Sequence, residues 1–454
     1  MGPMYLLFEH FLVVMGVLAV ASAIVLALQP RRTPQSSAAW ILFIILVPYI
    51  AVPVFLVLGF RKSRRSFPTL MFPAHPGSEP PDPPALARDF AALGAPGARQ
   101  GNRIVLHETP EAARAALEAL VKGARHRIDI ILYVLAPDAS GRWFLDLLTG
   151  KLREGVEVRL TIDWLGSLRR PRRALNAFTA AGGELRWFSP LGHLTDTANL
   201  NLRNHRKMVI ADCARVWSGG RNVGDEYLAS PPGEWLDLSF TAEGPVVDGF
   251  NAVFASDWEV AGDPLPEPVA PPCPPRGEAL LQLVPAGPDE AQDVLHDGLV
   301  AAIYRARRRV WIATPYFVPT ELLAQALATA ARSGLDVRLF VPAKSNQWTT
   351  DLTRGPYLRA MARTGVRVLR YMPGMMHAKA GIVDDAAWIG SANLDVRSML
   401  LNFETVMMIY DPETLAAVES WFRALEPDCV AGTAPARLPR RLIEGIFRLG
   451  APIL

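Results

Sequence analysis

The segment Asn204-His205-Arg206-Lys207-Met208-Val209-Ile210-Ala211-Asp212, followed by Gly219-Gly220-Arg221-Asn222, constrains this 454-residue chain more than any other stretch, because it occurs twice. The second copy is His377-Ala378-Lys379-Ala380-Gly381-Ile382-Val383-Asp384, followed by Gly390-Ser391-Ala392-Asn393. Each copy reads His-x-Lys, a short apolar run, Asp, a hairpin-length gap, then Gly-Gly/Ser-x-Asn. Residues i and i+2 of a β-strand share a face, so the spacing predicts His and Lys side by side on one strand in each copy. An imidazole beside an ammonium suits phosphoryl chemistry, one group attacking or moving a proton while the other holds phosphate oxygens. The gap is six residues between Asp212 and Gly219 and five between Asp384 and Gly390. The shorter one predicts a tighter turn and leaves Asp384 and Asp385 both open as the motif aspartate.

The flanking pattern repeats as well. Arg127 to Val134 reads as a buried strand, Gly141 to Glu154 as a helix and Val156 to Asp163 as a strand. In the second half Arg309 to Thr314, Glu321 to Ser333 and Val337 to Val341 follow the same order. Arg153-Glu-Gly-Val-Glu-Val-Arg-Leu160 and Arg332-Ser-Gly-Leu-Asp-Val-Arg-Leu339 show the duplication directly. Alternating strands and helices imply an α/β fold of two repeats, with parallel-type sheets covered by helices.

The two motifs resemble the paired HKD motifs of the phospholipase D superfamily. Their surroundings look like its bacterial cardiolipin synthase branch: Asn201-Leu202-Arg203-Asn204, Val223-Gly224-Asp225-Glu226-Tyr227, Thr314 to Pro319, Asn393 to Ser398 and Asn402-Phe403-Glu404. The likeness runs over nearly the whole chain. It implies two phospholipase-D-like repeats related by a pseudo-two-fold axis, with both motifs brought to one cleft.

Half of the residues are hydrophobic, which is high for a soluble enzyme. Phe11 to Leu28 and Thr33 to Phe60 carry no charge, and each is long enough to span roughly 30 Å of hydrocarbon as a helix. A cleaved signal peptide competes for the first run, but no basic segment precedes it and a second apolar run follows at once. Two membrane helices, about 11–28 and 36–60, are therefore expected, with Pro48 and Pro53 kinking the second or making it re-entrant. Arg61, Lys62, Arg64 and Arg65 beyond the second run outnumber Arg31 and Arg32 between the two. That bias puts the body on the cytoplasmic side of the inner membrane. The expected divisions are a membrane region 1–65, a Pro-rich linker 66–102, a first repeat 103–262, a Pro-rich link 263–276, a second repeat 277–435 and a basic amphipathic tail 436–454. The tail would lie on a membrane surface or pack on the protein. Cys213, Cys273 and Cys429 have no disulfide or zinc spacing.

If His205 and His377 face each other across a phosphodiester, one can attack phosphorus and the other can move the alcohol protons. Lys207, Lys379, Asn222 and Asn393 would hold the non-bridging oxygens. No metal or other cofactor is needed. Each ring also needs an acceptor for its far nitrogen. Glu404 is the candidate in the second half and Asp237 in the first, while Asp212 and Asp384, completing the motifs, suit a turn-stabilising role. The resemblance implies transfer of a phosphatidyl group between two phosphatidylglycerols, giving cardiolipin and glycerol through a phosphohistidine. A phospholipase-D-type hydrolase, a transferase using phosphatidylethanolamine as co-substrate and a non-catalytic membrane scaffold compete with that reading. The expected partners are phospholipids and the membrane. The apolar segments and a net charge of only +3 disfavour nucleic acid.

Overall fold

The computed structural model describes all residues except 1–2, 28–33, 59–66, 68–69, 73–76, 190–201, 230–234, 263, 266–271, 291 and 450–454. Asn201 and the basic residues at 31, 32, 61, 62, 64 and 65 lie outside the described residues, as do parts of both Pro-rich segments and the last residues of the tail.

The first half contributes β1 (Arg99–His107), β2 (Arg127–Leu132), β3 (Glu157–Asp163), β4 (Glu184–Phe188), β5 (Met208–Ala211), β6 (Arg215–Gly219) and β7 (Ser239–Glu243). The second contributes β8 (Ala279–Ala286), β9 (Arg309–Ala313), β10 (Phe317–Val318), β11 (Asp336–Pro342), β12 (Arg367–Tyr371), β13 (Ala380–Val383), β14 (Ala386–Gly390), β15 (Leu394–Asp395), β16 (Glu404–Ile409) and β17 (Cys429–Ala431). One sheet runs β17-β12-β11-β9-β13-β14-β16-β8-β1-β7-β6-β5-β2-β3-β4, and β10 pairs with β15 apart from it. Reading outward from the central β8–β1 pair, the two halves follow the same order. β16 answers β7, β14 answers β6, β13 answers β5, and β9, β11 and β12 answer β2, β3 and β4.

The sheet is mixed rather than parallel-type. Only β2-β3-β4 and β9-β11-β12 are parallel. The motif strands form hairpins, β5 with β6 and β13 with β14, and those pairs are antiparallel, as are the central β1–β8 and β8–β16 contacts. The cause is chain length. Two or three residues can close an antiparallel hairpin, whereas parallel pairing needs a crossover of a dozen or more.

Pleat alternation sorts the core into layers. Met208 and Ile210 of β5 face an apolar layer that continues across both halves through Leu281, Leu283, Ile382 and Met407, covered by helices Val247–Val260 and Pro412–Leu425. Val209 faces the other side, where helices Pro110–Lys122, Ala139–Arg153 and Arg172–Ala180 pack on the first half. Helix Ala139–Arg153 starts where Asp138 accepts a bond from the Gly141 amide at 2.9 Å, and buries Phe144, Leu145 and Leu148. After it the chain turns at Gly155 (φ 85°); the matching turn in the repeat is Gly334 (φ 86°). A side chain there would strain the backbone, so glycine is retained in both copies of the repeat sequence.

At the amino terminus stand α1 (Pro3–Ala27), α2 (Pro34–Leu46) and α3 (Pro48–Leu58). The single second span expected over 36–60 is instead two helices, interrupted at Val47, because Pro48 has no amide to continue the ladder. Among the described residues no helix is long and apolar enough to cross a membrane. The tail expectation falls on a real helix, Leu438–Leu449, packed against helix Trp348–Arg363.

Candidate active site

The His-x-Lys segments do not lie in the strands. β5 begins at Met208 and β13 at Ala380, so His205, Lys207, His377 and Lys379 stand just before them. Each segment is held by the opposite half instead. The His205 amide donates to the Phe403 carbonyl at 2.9 Å and the Phe403 amide to Arg203 at 2.9 Å. Equivalently, the His377 amide donates to Leu236 at 2.7 Å and the Leu236 amide to Met375 at 2.9 Å.

This exchange decides the carboxylate partners. His205 Nδ1 lies 3.0 Å from both carboxylate oxygens of Glu404, the residue after Phe403. His377 Nδ1 lies 2.6 Å from Asp237 Oδ2, the residue after Leu236. The expected pairing within each half is therefore wrong: Glu404 serves the first-half histidine and Asp237 the second-half one. The Gly-Gly/Ser difference between the motifs follows. Ser391 donates its hydroxyl to Glu404 at 2.5 Å. At the matching position a Cβ on Gly220 would come within 2.1 Å of Asp237 Oδ1, so that position admits no side chain.

Both rings open on one cleft of about 440 Å³. Asn222 and Asn393 line it as expected. The Asn222 side-chain oxygen accepts from the Val134 amide at 3.2 Å. The lysines are buried, and each curls its ammonium onto the carbonyl of its own motif histidine. Lys379 Nζ also sits 2.9 and 3.0 Å from the two His377 ring nitrogens. Nothing equivalent involves Lys207, which instead lies 5.4 Å from the Tyr133 ring centre.

Burial lowers the pKa of His205 to about 4, against a smaller upward pull from Glu404. Burial and the Lys379 charge take His377 to about 3. Both rings are thus neutral at pH 7. Burial brings Lys207 down to about 7 and Lys379 to about 8. For Asp237, burial is outweighed by His377, Lys379 and Arg221, which hold it at about 2. Glu404 is likewise held low against its burial by His205, Lys207 and Ser391.

Asp212 and Asp384 are not in the cleft. Asp212 accepts the amides of Arg125, His126 and Arg127 at 2.7–3.1 Å, where the chain enters β2. Asp384 does the same for Arg307, Arg308 and Arg309 ahead of β9. Both have positive φ, 53° and 49°. Asp384 is therefore the motif aspartate, and Asp385 pairs outward with Arg308. Asp212→Ala leaves three amides without their acceptor, a loss of about 2–4 kcal/mol. The unfolding temperature is expected to fall by roughly 5 °C, while turnover per folded molecule stays within about twofold of the parent. A turnover loss matching that of a histidine variant would place Asp212 in the chemistry after all.

Sequence reasoning missed the cleft's aromatic and cationic lining. The Tyr133 ring stands edge-on to His205 at 4.7 Å, and Tyr227 and Trp235 each lie 5.3 Å from His377. Arg203 and Arg397 also line the cleft. Their signal was position: Arg203 lies two residues before the motif histidine, and Arg397 four residues after Asn393. Among the described residues no group of three or more His, Cys, Asp or Glu could hold a metal ion.

Residues 299–426 match the family model described as the cardiolipin synthase PLD-like domain. Cardiolipin synthase A of Pseudomonas syringae pv. syringae is 33% identical over 453 residues, covering 94% of this chain and 95% of that one. A probable cardiolipin synthase of Bacillus subtilis is 37% identical over 308 residues, covering 66% of this chain and 61% of that protein. In fold, the chain resembles the crystal structure of phosphatidylserine synthase from Haemophilus influenzae. The TM-score is 0.64 at 15% identity, covering 82% of this chain and all of that one. With the duplicated motif, the mirrored sheet order and full-length relatives in agreement, the chain belongs to the cardiolipin synthase family of the phospholipase D superfamily.

Proposed function

We propose that this protein moves a phosphatidyl group from one phosphatidylglycerol to the terminal hydroxyl of another, giving cardiolipin and glycerol. The observation that carries the reading is two neutral histidines on one cleft, each with its Nδ1 tied to a carboxylate from the opposite half. Such a tie leaves Nε2 of each ring for chemistry.

We assign the attack to His205. Its ring carries no ammonium, whereas Lys379 Nζ lies 3.0 Å from His377 Nε2; with Nδ1–H given to Asp237, Nε2 is the nitrogen that accepts from Lys379, and its lone pair is the one a nucleophile needs. With the anionic phosphodiester bound, His377 takes up a proton at Nε2; in the first step His205 Nε2 bonds to phosphorus, the bond to the glycerol oxygen breaks, and His377 gives that oxygen this proton. In the second, His377 takes the proton of the incoming phosphatidylglycerol hydroxyl, whose oxygen displaces His205 from phosphorus. Lys207, Lys379, Asn222 and Asn393 stabilise the charge that gathers on the non-bridging oxygens. The bound phosphodiester, an anion, raises the pKa of His377 toward the value a proton carrier needs.

A lipid substrate is supported by apolar side chains beside the cleft. Leu165, which lines it, is 45% exposed, and Trp348, next to the cleft residue Gln347, is 67% exposed. We further infer that α1–α3 embed in the bilayer with the body on the cytoplasmic side. Val13, Val17, Val20, Ile45, Leu46 and Ile50 all point outward, an exposed apolar surface of a kind that soluble proteins cover.

The test is mass spectrometry of lipids and headgroups after the purified chain meets phosphatidylglycerol vesicles without added metal. Cardiolipin and glycerol in equal amounts are expected. Phosphatidic acid and glycerol without cardiolipin would make the protein a hydrolase and sink the transferase reading.

The pH dependence has a defined sign. Catalysis needs His205 neutral, which holds above about pH 4. It also needs the lysines charged, which fails as pH rises through about 7 for Lys207 and about 8 for Lys379. The expected kcat/KM profile is highest between these limits and falls by about tenfold per pH unit or more above pH 8. A profile flat from pH 7 to 10 would remove the lysines from phosphate binding.

A further inference from the structure

Helix Trp348–Arg363 has the catalytic cleft on one side and a second concave site on the other. Gln347 and Thr350 line the cleft, while Asp351, Arg354 and Arg359 line a separate cavity of about 180 Å³. The outer wall of that cavity comes from the C-terminal helix Leu438–Leu449, which contributes Arg440 and Glu444; Lys344 and Arg370 complete its charged lining.

Its charges do not cancel. Glu444, buried, is paired with Arg359 and with Arg440 at 2.8 Å. Asp351 is paired with Arg354 at 2.7 Å and accepts the Ser345 amide. Five cationic side chains against two carboxylates leave a surplus of three positive charges around the cavity. Lys344 is exposed. Arg370 gives Nε to the Gly432 carbonyl at 2.9 Å.

Arg354 is the unusual member. It is only 4% exposed, and its Nη2 donates to the Pro342 carbonyl at 2.8 Å and the Ala343 carbonyl at 3.3 Å. Its Nη1 is buried with no hydrogen-bond partner among the described residues. A buried guanidinium hydrogen left without an acceptor is costly, and burial lowers the pKa of this group. An oxyanion in the cavity would complete it, and Arg supplies the planar donor set that suits phosphate.

The wall of the cavity indicates where such an anion comes from. On the C-terminal helix Leu438, Leu442 and Ile446 lie four residues apart along one face and are 63–70% exposed. Arg441 and Arg448 lie on the same helix, and Phe447 anchors it edge-on to Trp348 at 5.6 Å. An outward apolar stripe flanked by arginines is the surface of a helix lying in a membrane interface.

We propose that this cavity is a second anion site, distinct from the cleft, which takes the phosphate of an anionic phospholipid while the C-terminal helix rests on the bilayer that supplies it. The inference does not depend on the reaction proposed above, since none of these residues touches the two histidines.

Hydrogen exchange on the full chain tests it, in mixed micelles of a neutral detergent with either phosphatidic acid or phosphatidylcholine, and with inorganic phosphate in detergent alone. Phosphatidic acid is expected to slow exchange over residues 351–359 and 437–447, with phosphatidylcholine far less effective. Lys344→Glu and Arg370→Gln should each raise the half-maximal phosphatidic acid concentration by about tenfold, as loss of one charge-assisted contact does. Turnover of a short-chain phosphatidylglycerol should stay within about twofold, so a failure of the catalytic reading is read separately. Equal protection by phosphatidylcholine, or unchanged affinity in both variants, overturns the site. Protection by inorganic phosphate matching that by phosphatidic acid overturns its assignment to lipid.

Discussion

Replacing either histidine, His205→Ala or His377→Ala, is expected to lower phosphatidyl transfer by about 10⁴-fold or more, since groups acting as one unit lose nearly everything when one is removed. The two variants should nevertheless differ. With substrate labelled at phosphorus and an acid-labile, base-stable adduct sought after rapid quench, the parent enzyme should carry label on His205. His205→Ala should carry none, because the remaining ring has Lys379 on its nitrogens. His377→Ala should acquire label slowly, because the glycerol oxygen then leaves without a proton. Label on His377 in the parent would reverse the roles, and substantial turnover in either variant would sink the two-histidine mechanism. The charge environment sets the scale of the effect. Both rings are neutral at pH 7 and both lysines titrate near neutrality, so an anion in the cleft favours their charged forms.

The second large effect concerns the crossed carboxylates. Glu404→Gln and Asp237→Asn keep size and shape but no longer fix the ring tautomer, and each is expected to cut kcat by about 10³–10⁴-fold with little change in KM. The damage should appear in the opposite half. In histidine-labelled protein observed by ¹⁵N NMR, Glu404→Gln should shift the Nδ1 resonance of His205 and leave that of His377 in place. Asp237→Asn should do the reverse. A shift confined to the histidine of the mutated half would contradict the 3.0 Å and 2.6 Å contacts on which the assignment rests. Arg206 also bridges the two halves. Its buried guanidinium binds Asp257 at 2.5 Å in the first half and Asp289 at 3.0 Å in the second. The halves are therefore joined beneath the motif as well as across the cleft, and neither histidine is correctly held by its own repeat alone.

Much of this architecture was legible in the residues because it is repeated and local. Strand β2, helix Ala139–Arg153 and strand β3, with their counterparts in the second half, follow from apolar periodicity, a capping aspartate and a glycine at positive φ. The place of Asp212 and Asp384 in the hairpin turns was legible, but their carboxylates serve the amides of the segments entering β2 and β9 rather than the motif's own turn, which no local pattern records. Less legible was the start of each motif strand. A period of two over His-x-Lys is compatible with a strand, yet the residues just before the histidines, Asn204 and Met376, make isolated bridges to the other half and the ladder begins only after the lysines. The mixed character of the sheet was hidden for a similar reason, since the buried run of β2 pairs parallel with β3 on one edge and antiparallel with β5 on the other, and its residues are the same for either direction.

The sequence by itself determined the two α/β repeats, the histidines and asparagines of the cleft, and the family, since these reside in short segments whose spacing and chemistry are readable locally. Only the tertiary structure decided that Glu404 serves His205 and Asp237 serves His377, that a break at Val47 divides the second apolar run, and that Arg354, whose Nη1 is a buried unsatisfied donor, lines a cavity behind the cleft. The physical reason is the same in each case. Partners 140 or 199 residues apart are chosen by which backbone segments exchange hydrogen bonds across the two-fold, and no local pattern records that choice.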